Sequence, residues 1–410
     1  MIKRILITGN AAAAWGARLS SADYIPAFPI TPQTEIIETL SEWIHTGEMD
    51  ARMTVFESEH SMITAAGSAA TAGVRVFTAT SSQGLMYGME MIFAIPGWRV
   101  PFVLVNVSRG LASPITLECD HNDILAARDS GCIQIHCATC QEVLDSIIMA
   151  YKISENREVR LPVMVNLDGF YLSFTREPVE IPDHNVVTNY LGEYNRLNDR
   201  YDAATPQARG LIVLGGSMYS YFRYQAHLAA LKAIDVYNEA AKEFENQFGR
   251  RYNVIETYRT DDAEYCFIMA GSFSTKGKGA VDHLRNEGRK IGLIRPRIIR
   301  PFPSGELRLL LSGFKGAAVI DQNISSGKGG ILYTEITSAL YGAEGDYPVI
   351  GSFIGGLGGR DITIEEFTAI ADEMKGHAEK GTTPETRLLF NVEELEQIKK
   401  VQIIAGTENP

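Results

Sequence analysis

The sequence predicts an α/β protein: a mostly parallel sheet covered by helices on both faces, followed by a second, smaller α/β unit. Three observations carry this. Strand and helix signals alternate from the first residues to about 250, fade into a connector, and resume near Asp261. A stiff segment, Pro26-Ala-Phe-Pro-Ile-Thr-Pro-Gln-Thr34, stands where a strand gives way to a helix. Polar residues recur at the ends of successive strands, where a buried sheet has no packing use for them.

In chain order, Met1-Ile-Lys-Arg-Ile-Leu-Ile is too short for a signal peptide and leads into a first strand at Ile5–Thr8. The Ala- and Gly-rich run Gly9–Leu19 predicts a helix with little room for bulk; it lacks the glycine spacing of a dinucleotide fingerprint. Pro32 pushes Thr31 away from helical angles, and Thr34 reads as an N-cap before Ile36, Ile37, Leu40, Trp43 and Ile44. Met53–Phe56 forms a strand ending in Glu57-Ser-Glu-His-Ser61, and a helix of small residues follows. Val74–Ala79 is a strand closed by Thr80-Ser-Ser-Gln-Gly84 and a Met-rich helix, Leu85–Ile95. Pro101–Val107 runs into Ser108-Arg-Gly, and residues 111–129 are irregular. Ile133–His136, a helix Gln141–Ser154 and a strand Leu161–Asn166 complete the pattern. Pro178 to about Gly216 is a connector, and a long polar helix runs from near Tyr219 to Phe248. The second unit has strands Tyr265–Ala270, Lys290–Ile294, Ala317–Ile320 and Val349–Phe353, with helices starting near Ser274, Ser304 and Gly330.

Composition narrows the function. With 410 residues the chain exceeds one core, and 45% hydrophobic with 21% charged residues describes an ordinary globular protein. A net charge of −12 argues against nucleic-acid or anionic-membrane partners, no apolar run approaches a membrane span, and a cytoplasmic location is the default. Five cysteines argue against a disulfide framework. Cys137-Ala-Thr-Cys140 suggests a metal or redox pair but lacks a second ligand pair, so buried free thiols are expected.

The polar strand ends are Thr31, Glu57/Glu59/His60, Ser81/Ser82/Gln83, Arg109 and Asp120/His121/Asp123, and they should converge on one crevice. Glu59, beside a helix of tiny residues, is either a desolvated carboxylate with a raised pKa or a cap on that helix. Arg109 needs an anion, which is either a substrate carboxylate or Asp120 or Asp123. Asp120-His-Asn-Asp has metal-ligand chemistry, but with no distant partner loop hydrogen bonding is favoured. The sequence shows no Walker loop, nucleophile elbow or H-E-x-x-H. It also lacks the Gly-Asp-Gly plus Asn motif that binds metal and pyrophosphate in thiamine enzymes. An incomplete site, shared at a subunit interface, is the expectation.

Seven motifs in order resemble the α subunit of 2-oxoacid:ferredoxin oxidoreductases: Phe28-Pro-Ile-Thr-Pro, Glu57-Ser-Glu-His, Thr80-Ser-Ser-Gln-Gly, Ser108-Arg-Gly-Leu, Cys119-Asp-His-Asn-Asp, Ala127-Arg-Asp-Ser-Gly and Leu167-Asp-Gly-Phe. Arg300-Pro-Phe-Pro and Gly355-Gly-Leu-Gly-Gly-Arg-Asp extend the resemblance. It implies a pyrimidine-type thiamine-diphosphate-binding domain over 1–250 and a transketolase C-terminal-like domain over 260–410. It also implies a β subunit carrying the pyrophosphate-binding domain with Mg²⁺ and an iron–sulfur cluster, and γ- and δ-type iron–sulfur subunits. A flavin/NAD subunit joins these where NAD rather than ferredoxin takes the electrons. The implied reaction is oxidative decarboxylation of a 2-oxoacid to acyl-CoA and CO₂, with coenzyme A as co-substrate.

By the same resemblance Glu59 hydrogen-bonds the aminopyrimidine, and Thr31 and Arg109 hold the substrate's carbonyl and carboxylate. Pro29, Ile30, Ser82 and Gln83 fall to the cofactor, and Phe28 and Gly110 to the substrate pocket. Two departures bear on the substrate. Phe28 stands where the family usually has Tyr, and Ser108-Arg-Gly where it commonly has Asn-Arg-Ala. Both suggest a larger, more apolar pocket that admits phenylglyoxylate. Thr31 in place of a second arginine argues against oxalate. Family frequency favours pyruvate, and a non-catalytic assembly subunit is the reading from a different class.

Overall fold

The computed structural model describes residues 3–194, 201, 203–390 and 392–404. Residues 195–200 and 202 of the expected connector, and 405–410 of the expected second domain, lie outside the described residues. The chain begins β1 (Lys3–Thr8), α1 (Gly9–Leu19), β2 (Tyr24–Ala27), α2 (Thr34–His45), β3 (Arg52–Val55), α3 (Glu59–Thr71) and β4 (Phe77–Thr80). It continues with α4 (Gln83–Tyr87), α5 (Met89–Trp98), β5 (Val103–Ser108), α6 (Asn122–Ala126), β6 (Ile133–His136), α7 (Cys140–Ser154) and β7 (Val163–Asp168). Next come β8 (Arg176–Ile181), α8 (His184–Leu191) and the 32-residue α9 (Ser217–Phe248). The remainder is β9 (Ile255–Tyr258), β10 (Tyr265–Ile268), α10 (Ser274–Asn286), β11 (Ile291–Pro296), β12 (Ile298–Arg300), α11 (Ser304–Leu311) and β13 (Gly316–Asp321). It ends with α12 (Ile331–Leu340), β14 (Val349–Ile354), α13 (Ile364–Lys380), β15 (Arg387–Leu388) and α14 (Val392–Ile404).

The first sheet runs β12-β6-β7-β5-β4, with β4, β5, β6 and β7 parallel. The parallel pair β2–β3 extends it through a bridge between Tyr24 and Val76. Helices cover both faces, so β5 (VLVNVS) and β7 (VMVNLD) read as continuous apolar runs and are buried throughout. Their two buried amides face each other in register, Asn106 Nδ2 donating to Asn166 Oδ1 at 2.8 Å. The second sheet, β15-β14-β13-β10-β11-β9, is parallel except for its edge strand β9.

The two sheets are not independent. β12, two residues beyond β11 of the second sheet, crosses to pair antiparallel with β6 of the first. Arg295 and Arg297, both buried on this crossover, meet Glu142 near the start of α7. The carboxyl ends of both sheets then close on the 110–123 loop, where His121 N donates to Gln322 O and Ser272 N to Asp168.

Several sequence expectations need correction. Thr34 opens α2 rather than capping it, because the 31–33 turn already folds the backbone and Gln33 occupies the cap position without a side-chain cap bond. The Met-rich helix is two helices, α4 and α5, broken at Gly88, where a Cβ would run into Ile63 of α3. The connector contains β8, which pairs antiparallel with β1. The irregular 111–129 stretch holds the short α6. All five cysteines are buried free thiols, as expected, and burial pushes Cys132 up to about 12.

Candidate functional site

Parallel strands send their carboxyl ends to the same edge of a sheet, and the predicted residues follow those ends. Glu59 is the first residue of α3, but Ser58 is its N-cap, accepting from Ser61 N at 3.2 Å. The helix is therefore capped without Glu59, which is only 4% exposed. Its burial follows from small residues, since a Cβ at Gly67 would strike Ile95 and Trp98 of α5, so α3 packs close against that helix. Burial raises the Glu59 pKa, outweighing the opposing pull of its own backbone N–H. Among the described residues, no side chain donates to its carboxylate.

A Cβ at Gly84 would collide with the Glu59 carboxylate and lie 2.5 Å from Thr80 Oγ1. Glycine thus leaves an acid and a hydroxyl aimed at one point. Thr80 Oγ1 is buried without a hydrogen-bond partner, and so is Gln83 Nε2 beside it. Neither Thr80 nor Gly84 was singled out from the sequence, although both lie in the quoted Thr80-Ser-Ser-Gln-Gly84 motif.

Arg109 follows β5 and is 6% exposed. Its Nη2 donates to Gln83 Oε1 at 3.0 Å, its Nε is buried without a partner, and no carboxylate pairs with it among the described residues. The alternative that it pairs with Asp120 or Asp123 through its side chain is therefore not what the structure holds. Asp123 meets its backbone instead. Burial lowers the Arg109 pKa, against the opposing charge of Asp123. A buried guanidinium without a carboxylate is costly unless an anion arrives.

Ser82 sits at φ 46°, a region few non-glycine residues adopt, with its hydroxyl 2.8 Å from Gln83 Oε1 and 3.2 Å from Gly110 O. Ser82, Gln83, Arg109 and Gly110 are thus joined by hydrogen bonds, and Glu59 lies against Gly84 next to them. The Phe28–Thr31 loop is pinned beside them: Asn10 Nδ2 donates to Pro32 O at 2.8 Å and Gln33 Nε2 to Phe28 O at 2.6 Å. Pro32 abuts Gly169, whose N–H donates to Ser108 O. Phe28 and Ile30 are half-buried, while Pro29 and Thr31 are exposed. Among the described residues, no side-chain hydrogen bond joins Thr31 to Glu59 or Arg109.

The Ser108-Arg-Gly substitution, one of the two that suggested a roomier pocket, does not open one. Ser108 is buried and turns its hydroxyl to Asp123. The space a methyl at Gly110 would take is filled by Thr116 Cγ2, 2.5 Å from that position. The structure gives the aromatic-substrate expectation no extra room on this side.

The other polar residues have different uses. His60 pairs with Glu90, and Glu57 accepts from Ser61 Oγ. Ser81 donates to Val107 O at 2.6 Å. His121 Nε2 meets Asp168 Oδ1 at 2.7 Å, Asp120 accepts from Asn122 N, and Asn122 Oδ1 accepts from Ile324 N. The Asp120-His-Asn-Asp run is thus engaged in loop hydrogen bonds. Among the described residues no three His, Cys, Asp or Glu side chains are placed to hold a metal, and no helix is long and apolar enough to cross a membrane.

A buried carboxylate with a raised pKa, a free hydroxyl and a free amide N–H fit the donors and acceptors along the edge of an aminopyrimidine ring. Comparison with known proteins gives the family. Residues 16–245 match the family described as pyruvate flavodoxin/ferredoxin oxidoreductase, thiamine diP-bdg, and residues 263–367 match pyruvate:ferredoxin oxidoreductase core domain II. Pyruvate synthase subunit PorA of Pyrococcus abyssi is 43% identical over 382 residues, covering 92% of this chain and 96% of that protein. PorA of Thermotoga maritima is 40% identical (92% and 96% covered). Ketoisovalerate oxidoreductase subunit VorA of Pyrococcus horikoshii is 41% identical (93% and 95% covered). Among solved structures, 2-oxoglutarate:ferredoxin oxidoreductase from Magnetococcus marinus shares the fold at TM-score 0.71 and 19% identity; the match covers 90% of this chain and 65% of that one. A split-gene transketolase matches at TM-score 0.50 and 11% identity, with 90% and 98% covered. On its match over 16–245 and its 43% identity across 92% of its length, this chain belongs to the family of 2-oxoacid:ferredoxin oxidoreductase α subunits.

Proposed function

We propose that this chain completes the thiamine-diphosphate site of a multi-subunit oxidoreductase that converts pyruvate and coenzyme A to acetyl-CoA and CO₂, passing electrons to ferredoxin. The observation that carries the reading is the pair of buried, unpaired charges, Glu59 and Arg109, joined through Gln83 and Gly84. In a purely structural assembly subunit both would be a standing cost. Residues 1–250 form the cofactor domain and 260–410 the transketolase C-terminal-like domain.

Glu59, Thr80, Gln83, Pro29 and Ile30 would hold the aminopyrimidine half of the cofactor, and Phe28 would line the substrate pocket. Thiamine diphosphate supplies the carbanion chemistry that a 2-oxoacid needs to lose CO₂. Glu59 holds and shares a proton at its carboxylate, for which a raised pKa suits it. Arg109 binds the substrate carboxylate with its fork, and Thr31 hydrogen-bonds the carbonyl. Arg109 is the one cation in this set, which suits a monocarboxylic 2-oxoacid over one with a second carboxylate. The β subunit brings the pyrophosphate half with Mg²⁺ and a cluster, further iron–sulfur subunits carry the electrons, and the complex works in the cytoplasm.

Identity alone does not choose the substrate, because pyruvate and ketoisovalerate relatives score alike. Ferredoxin reduction by the purified complex, compared on pyruvate, ketoisovalerate, phenylglyoxylate and 2-oxoglutarate, tests the choice. Pyruvate with the highest kcat/KM supports it, and any other order overturns it.

A further inference from the structure

The site reading leaves a buried acid without a role. Asp123 lies at the start of α6, is 0% exposed, and meets donors from three segments. Its Oδ2 accepts from Ser82 N at 3.1 Å, Arg109 N at 3.4 Å and Asn106 Nδ2 at 3.0 Å. Its Oδ1 accepts from Ile124 N at 2.6 Å and from the Ser108 hydroxyl. One carboxylate thus grips the loop after β4 through Ser82 and the loop after β5 through Ser108 and Arg109. Ser82 has the unfavourable φ of 46°, so its backbone needs such a tether to stay where Gln83 and Gly84 face Glu59.

We infer that Asp123 is a positioning residue that fixes the cofactor-facing loop and the substrate-facing loop relative to each other. Both its oxygens are taken by protein donors, so it acts through the residues it holds. It sets where Gln83 and Arg109 start, and the Arg109–Gln83 bond then follows from two anchored backbones. A carboxylate suits this place, because four of its five neighbours, Ser82 N, Arg109 N, Asn106 Nδ2 and Ile124 N, can only donate. The inference rests on the proposed roles of Gln83 and Arg109.

Asp123→Asn keeps the shape but turns one acceptor into a donor facing donors. In the assembled oxidoreductase, KM for pyruvate and Kd for thiamine diphosphate, the latter read by calorimetry, should each rise about tenfold, while kcat at saturation changes less than about threefold. Ser108→Ala removes one donor with little risk to folding and should move both constants the same way, about threefold. If both variants keep both constants and lose only melting temperature, Asp123 is structural and the inference falls. If only one constant moves, the coupling of the loops falls. Arg109→Lys separates the two claims: it should raise KM for pyruvate by a larger factor than it raises the cofactor Kd, which it reaches only through the Gln83 bond. An unchanged KM in that variant overturns the site reading itself, whatever Asp123 does.

Discussion

Arg295 reaches across from β11 to Glu142 of α7, its Nη2 2.9 and 3.0 Å from the two carboxylate oxygens. Arg297 binds the same carboxylate, and Glu256 completes the cluster at 2.6 Å from Arg295. This buried group fastens the second sheet to the first beside β12. Burial opposes the charge on Glu142, but Arg295 and Arg297 hold it down at about 2. Removing the charge leaves two buried guanidinium groups with Glu256 as their one remaining carboxylate. Glu142→Gln should therefore lower stability by about 3 kcal/mol at neutral pH, measured by urea unfolding. A depressed carboxylate pKa stabilises above the unfolded value of 4.5 and stops doing so as pH falls toward 2, so the variant's deficit should shrink in acid.

His136 gives a second pH signature. Its two ring nitrogens are buried without partners, and burial, with the neighbouring His121, pushes it down to about 3. Between 6.5 and 3 the unfolded chain binds a proton that the folded chain refuses, so this group lowers stability as pH falls through that window. Asp321, pushed up to about 7 by burial, acts the opposite way over part of the same range. The contribution of His136 therefore appears in a difference. His136→Leu should lose the acid-side decline relative to wild type, measured by chemical denaturation across that window. A flat difference would mean that His136 is not held neutral.

Gly110→Ala tests the pocket. An added Cβ meets Thr116 Cγ2 at 2.5 Å and Asp120 Oδ2 at 3.1 Å, so the variant should lose about 1–3 kcal/mol of stability from overpacking. The order of preference among 2-oxoacids should not change, because the methyl points into packed protein. A shift away from bulky substrates at unchanged melting temperature would put that methyl in the pocket.

Gly84→Ala tests the other wall. A Cβ there displaces the Glu59 carboxylate or Thr80 Oγ1, so thiamine diphosphate affinity should fall about tenfold or more, measured by calorimetry on the complex. Unchanged affinity would show that the cofactor does not use this corner.

Much of this was legible in the sequence. Continuous apolar runs in β5 and β7 and their polar ends announced a parallel sheet with a crevice at one edge. Ile133–His136 and Gly9–Leu19 have the very bounds expected, since each is short, uniform and closed by a strong signal. Thr363-Ile-Glu-Glu366 is a readable capping box that opens α13. β12 was not readable: three residues that leave their own sheet to pair with β6 are defined by a distant partner. The same holds at the site. The types of Glu59 and Arg109 suggested chemistry, but whether Arg109 pairs with Asp123 depended on which of its atoms faces the carboxylate. Local pattern carries no such information.

Glu59, in the proposed function, shares its proton with a bound aminopyrimidine. The most direct measurement is the rate at which the thiazolium C2 proton of thiamine diphosphate exchanges with deuterium in the assembled complex. Glu59→Gln should slow that exchange by a factor of about a hundred or more while the subunits still assemble and bind the cofactor. Exchange at the wild-type rate in that variant would contradict the account.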